Sequence, residues 1–101
     1  MKIEAKKSAD TLTLKLNGDL DESNAHFVRE KTDYLIDNNK ITRFVYDFRN
    51  LTFMDSSGIG VILGRYKKLK ANNIAMFISN PNSQVMKVIR TSGINEIINI
   101  I

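Results

Sequence analysis

The sequence predicts an α/β fold in which helices pack against a mixed β-sheet, and three observations carry that prediction. Thr11–Leu16 alternates Leu12, Leu14 and Leu16 with Thr11, Thr13 and Lys15, the period of a half-buried strand. Ile59, Ile62, Leu63, Tyr66 and Leu69 recur at helical spacing behind three good capping residues, Asp55, Ser56 and Ser57. Short apolar runs, Phe44-Val45-Tyr46 and Ile74–Ile78, flank that helix, and strands alternating with helices build a sheet that the helices cover.

In chain order, Lys2–Lys7 reads as a first strand, joined through Ser8-Ala9-Asp10 to Thr11–Leu16 as a hairpin. Asn17-Gly18-Asp19-Leu20-Asp21 breaks the alternation. Ser23 then precedes a helix running to about Asn38, with apolar Ala25, Phe27, Val28, Leu35 and Ile36. Arg43–Phe48 is a buried strand with Asp47 at its end, and Leu51–Met54 leads into the Ile59–Leu69 helix. Asn80-Pro81-Asn82 ends the strand Ile74–Ile78, and Val85, Met86 and Ile89 mark a short helix closed by Gly93. Ile97–Ile101 is compatible with helix, strand or both.

With 101 residues, 43% of them hydrophobic, and one proline, the chain is expected to be a single packed domain spanning 1–101. It has no cysteine and one histidine, His26, which excludes a disulfide framework, a thiol nucleophile and a clustered zinc site. A reducing cytoplasm is the expected location. The charged start Met1–Lys7 does not resemble an export signal, and no run approaches the ~20 apolar residues of a membrane span. The net charge of +4 is scattered along the chain. Its one cluster, Lys67, Lys68 and Lys70, falls at a helix end, where cations suit the dipole and form a solvated face. That pattern argues against direct nucleic-acid binding.

The glycines Gly58, Gly60 and Gly64 miss the dinucleotide-binding spacing by one residue, and no Gly-Lys-Ser/Thr follows to cradle a phosphate. Gly60 and Gly64 share a helix face and are predicted to admit a neighbouring element closely. Ser57, on capping grounds alone, is a helix N-cap. A nucleophilic serine needs a positioned base, and His26 in an amphipathic helix offers none, so no enzymatic activity and no cofactor are expected.

The run Leu51-Thr52-Phe53-Met54-Asp55-Ser56-Ser57-Gly58-Ile59-Gly60-Val61-Ile62-Leu63-Gly64-Arg65-Tyr66-Lys67 resembles the signature of the anti-sigma factor antagonists, most of all the sporulation branch. Gly18-Asp19-Leu20-Asp21 and Thr91-Ser92-Gly93-Ile94 match two further stretches of that family. The resemblance implies a single STAS domain. It also implies that Ser57 is a phosphoacceptor, that Asp21 lies beside it, and that Asp55, Ser56, Gly58, Ile59 and Gly60 shape the partner-binding loop. Asp47 matches a position that often holds a carboxylate or amide. The implied partners are an anti-sigma factor with serine kinase activity and a metal-dependent serine phosphatase that resets the phosphorylated form. The sporulation antagonists are generally acidic, whereas this chain is basic. A rival of another class is a STAS-type module that senses a nucleotide or lipid.

Overall fold

The computed structural model describes residues 1–101. Lys2–Ser8 (β1) and Thr11–Leu20 (β2) form the antiparallel hairpin, with Ser8 opposite Thr11 and Lys2 opposite Asn17. β2 continues past Leu16, so the broken alternation does not end the strand. Its first half pairs in parallel with Arg43–Asp47 (β3), and from Gly18 onward it pairs in parallel with Leu51–Met54 (β4). Gly18 sits at φ +122°, and the register shifts between Gly18 and Asp19. Such a bulge bends a strand and re-aims its side chains, which is what scrambled the pattern there.

β3 pairs in parallel with Ala75–Ser79 (β5), and β5 with Asn99–Ile100 (β6), giving the order β1-β2-β3-β5-β6 with β4 beside β2. The helices are Glu22–Asp37 (α1), Ser56–Ala71 (α2) and Ser83–Ser92 (α3). Gly93 closes α3 in the left-handed conformation at φ +81°, as its place after the apolar run foretold. The tail splits into a 3-10 turn, Ile94–Glu96, and β6.

Leu12, Leu14, Leu16, Phe44, Tyr46 and Ile78 are buried on one sheet face, while Thr13, Lys15, Val45 and Phe77 on the other are half-exposed. The helices therefore cover a single face, and Val28, Ile36, Val61, Ile62, Leu69, Val85 and Ile89 complete the core. Each such side chain contributes about 1.5–3 kcal/mol when fully buried. Phe27, expected among the apolar positions of α1, is instead 47% exposed. The buried stripe is Ala25, Val28, Thr32 and Ile36, and Phe27 lies about 100° away from Val28 around the helix.

Thr32 can occupy that stripe because its hydroxyl pairs with the Tyr46 hydroxyl at 2.6 Å in the core. Burial pushes the Tyr46 phenol well above its ordinary range and keeps it neutral. Tyr46→Phe leaves the Thr32 hydroxyl without a partner and is expected to cost about 1–2 kcal/mol. Adding Thr32→Val should recover most of the loss, because both polar groups are then gone; urea unfolding of the single and double variants checks this.

Ion pairs join α1 to α2. Buried Arg65 lies 2.9 Å from the Asp33 carboxylate, although its N–H is not aimed along that line, so the contact is coulombic rather than a well-formed hydrogen bond. Lys68 pairs with Asp37 at 2.9 Å and approaches Asp33 at 3.8 Å. Of the lysine trio read as a solvated face, Lys67 and Lys70 are exposed, but Lys68 bridges the two helices.

The expectation for Gly60 and Gly64 is corrected: a Cβ on either would meet nothing within 4 Å. The close approach is at Gly58.

Candidate functional site

Leu20 and Met54 pair across the parallel strands β2 and β4, so the residues that follow them, Asp21 and Asp55, leave adjacent strand ends. Each caps a helix. Asp21 Oδ1 accepts from the Asn24 N–H at 3.2 Å and from the Ser23 hydroxyl at 2.6 Å, so α1 begins at Glu22, before Ser23. Asp55 Oδ1 accepts from the Ser57 N–H at 2.9 Å, and the Asp55 carbonyl accepts from the Gly58 N–H at 3.0 Å. The N-cap of α2 is thus Asp55, and Ser57 stands two positions inside the helix. The N-cap reading of Ser57 is corrected: among three consecutive capping residues it is the strand pairing that makes Asp55 the cap. It holds the Asp55 N–H against the Leu20 carbonyl at 3.3 Å.

The Ser23 hydroxyl, followed by the Asn24 N–H, holds the Asp21 carboxyl below its ordinary value. A carboxyl depressed by folding stabilises the native state above its unfolded pKa and loses that contribution as pH falls through the folded value. Asp21→Asn keeps a capping oxygen but does not titrate. The variant is expected to lose less stability than the wild type between about pH 5 and 2, read from urea midpoints across that range.

Ser56, the first residue of α2, is exposed, and Ser57 is half-buried. Ser56 lines a groove of about 350 Å³ with Ile59, Lys87, Val88, Thr91 and Ser92. Ile59 and Val88 give it an apolar base. Ser57, Asp21, Asp55 and Gly60 do not line it. Of the α3 residues of this groove, Thr91 and Ser92 stand out in the sequence only through the family resemblance and Lys87 and Val88 not at all, because the apolar signal there, Val85 and Ile89, marks the buried face of α3, while Lys87 and Thr91 lie on the outer one.

Gln84 of α3 and Asn82, the cap before it, dock that helix on the outer edge of β4. Gln84 accepts from the Met54 N–H and donates to the Met54 carbonyl, both at 3.0 Å. Asn82 caps α3 through the Val85 N–H at 2.8 Å while its amide donates to the Leu51 carbonyl at 3.1 Å. A strand edge with no strand beside it is thereby satisfied. Beneath the turn, a Cβ on Gly58 would fall 2.4 Å from Met54 Cγ and 3.0 Å from Leu20 Cγ, so only glycine fits without a shift.

The remaining candidates serve elsewhere. His26 contacts Glu30 on the exposed side of α1 at 3.1 Å. Asp47 is buried at the end of β3, where it accepts from the Arg49 N–H at 3.0 Å and shapes the turn into β4. No helix is long and apolar enough to cross a membrane.

The profile of the STAS domain matches residues 2–101. The anti-sigma F factor antagonist of Paenibacillus polymyxa is 35% identical over 96% of this chain and 83% of its own length. The unphosphorylated structure of the anti-sigma factor antagonist SpoIIAA superposes with a TM-score of 0.84 at 30% identity, covering 99% of this chain and 88% of that one. The phosphorylated form of the Bacillus cell fate determinant SpoIIAA superposes at 0.75 with 29% identity, covering 99% and 91%. A full-length profile match, and a curated relative aligned over nearly the whole chain, leave one reading: the chain belongs to the STAS domain family and is similar within it to the anti-sigma factor antagonists.

Proposed function

We propose that the chain is a non-enzymatic anti-sigma factor antagonist of the cytoplasm, which captures an anti-sigma factor with serine kinase activity and so frees a sigma factor. Phosphorylation in the Ser56-Ser57 pair by that kinase switches capture off, and a metal-dependent serine phosphatase restores it. The observation that carries this reading is an exposed serine at a helix N-terminus, on the rim of an apolar-based groove, in a fold whose relative SpoIIAA has been solved with and without phosphate.

The family resemblance pointed to Ser57 as the acceptor. The geometry favours Ser56, because a kinase must reach the hydroxyl and Ser56 is the more exposed of the two and the one that faces the groove. A phosphate there would bring about −1.5 to −2 charges close to the Asp55 carboxylate, which repels it, and to the N-terminus of α2, which attracts it. The two effects oppose, so the fold is expected to persist and the switch to act on the interface.

The test adds this chain to a preformed complex of the cognate anti-sigma factor and its sigma factor. The unphosphorylated chain should release sigma, and the phosphorylated chain should not. Failure of the unphosphorylated chain to bind the anti-sigma factor contradicts the proposal. The apolar base of the groove also suits a small ligand, and thermal shift in nucleotides or lipids tests that second reading, since binding to the native state raises the melting temperature.

A further inference from the structure

We infer that Gln84 is a positioning residue that couples α3, one wall of the groove, to the serine turn at the start of α2. A single side-chain amide engages both main-chain polar groups of Met54 at 3.0 Å, taking the place of a neighbouring strand. Met54 is the last residue of β4 and directly precedes the cap Asp55. Its fully buried side chain fills the space under Gly58, within 2.4 Å of where a Cβ would stand. Gln84 therefore holds the residue that supports the turn from both sides, through its backbone before Asp55 and through its side chain under Gly58. On the same helix, Lys87, Val88 and Thr91 face Ser56 across the groove. The amide thus fixes where those residues stand relative to the serine. Asn82 anchors α3 farther back, at Leu51, and cannot hold the turn in this way.

The coupling itself is a property of the free protein; its consequence for capture rests on the function proposed above. The experiment is amide hydrogen exchange, read residue by residue, on Gln84→Ala and on the near-isosteric Gln84→Glu. The second variant keeps the acceptor for the Met54 N–H but replaces the donor to the Met54 carbonyl by an oxygen that repels it, so it separates the two bonds and gives a second measurement should the alanine variant fold poorly. Met54, Ser57 and Gly58 should all exchange faster in Gln84→Ala, on the order of tenfold, while the β2 amides from Leu12 to Leu16 keep their protection. Gln84→Glu should also exchange faster than wild type at all three positions, with the Met54 amide slower than in Gln84→Ala because its N–H keeps an acceptor. A general loss of stability would speed β2 as well, and would overturn the inference. So would faster exchange confined to Met54, because Gln84 would then only close a strand edge. If the pattern holds, affinity for the anti-sigma factor should fall about tenfold in Gln84→Ala. A wild-type chain that binds no anti-sigma factor contradicts the proposed function and leaves the exchange result standing.

Discussion

Gly58→Val is expected to lower stability by about 2–3 kcal/mol, and the melting temperature by about 10 °C or more. The added Cβ would stand 2.4 Å from Met54 Cγ, 2.7 Å from its Sδ and 3.0 Å from Leu20 Cγ. Methionine is a flexible side chain, but Met54 and Leu20 are fully buried, and close-packed neighbours leave them nowhere to go without a shift of the core. Gly58→Ala should also destabilise, by less, since helix propensity returns about 1 kcal/mol. Gly60→Ala supplies the contrast: its Cβ meets nothing within 4 Å, so it should stabilise by about 0.5–1 kcal/mol. A calorimetric scan in which Gly58→Val melts with the wild type would show that Met54 can move aside, and would refute the tight support assigned to the turn.

The second large effect concerns binding. A phosphate on Ser56 should weaken capture of the anti-sigma factor about a hundredfold or more, because burying a dianion at a surface shaped for a hydroxyl costs several kcal/mol and each 1.4 kcal/mol is tenfold. Ser56→Asp carries one charge on a shorter side chain and should weaken capture by about tenfold. Ser56→Ala should bind like the wild type and escape modification. Melting temperatures should stay within about 2 °C of the wild type in all three forms, since Ser56 is exposed and Asp55, not Ser56, caps the helix. Titration calorimetry against the cognate anti-sigma factor measures the affinities. A phosphorylated chain that binds as tightly as the unmodified one contradicts the switch.

Much of this molecule is legible in its sequence because local pattern and tertiary role agree. The leucines of β2 and Gly93 after α3 each state one structural role, and each is met. The apolar run of β3 and the spacing along α2 give the strand and the helix but not the full buried face: Val45 is half-exposed on the uncovered side, and of the α2 positions read only Ile62 and Leu69 are buried, beside Val61 and Arg65. What misled were residues whose role is set by contacts across the fold. Asn17–Asp21 looks like a loop because a bulge at Gly18 breaks the period, yet the strand runs on to receive β4. Leu51–Met54 is four residues long and gives no period to read. Gly60 and Gly64 have a helical spacing that suggests close packing, but their face meets open space, and Gly58 does the packing. Phe27 is apolar and exposed because it lies off the buried stripe of α1, and Thr32 is polar and buried because the Tyr46 hydroxyl pairs with it.

The candidate site divides in the same way. Asp21, Asp55 and the two serines were named from the chain, and the parallel pairing of Leu20 with Met54 brings both caps to adjacent strand ends. The groove could not be read, because Lys87, Val88 and Thr91 reach Ser56 only through the docking of α3 on the edge of β4. Nor could capping rules separate Ser56 from Ser57. Their difference in exposure, which favours Ser56, exists only in the folded chain.

Fragment mass analysis of the folded chain after incubation with ATP and the cognate anti-sigma kinase, alongside Ser56→Ala and Ser57→Ala, decides whether the switch lies on the groove-facing serine. One added phosphate is expected on Ser56, lost in Ser56→Ala and retained in Ser57→Ala. A phosphate on Ser57 alone would keep a switch at this turn but contradict its assignment to the groove-facing serine. No phosphate on the wild-type chain, with a kinase active on its own substrate, would contradict a phosphorylation switch in this protein.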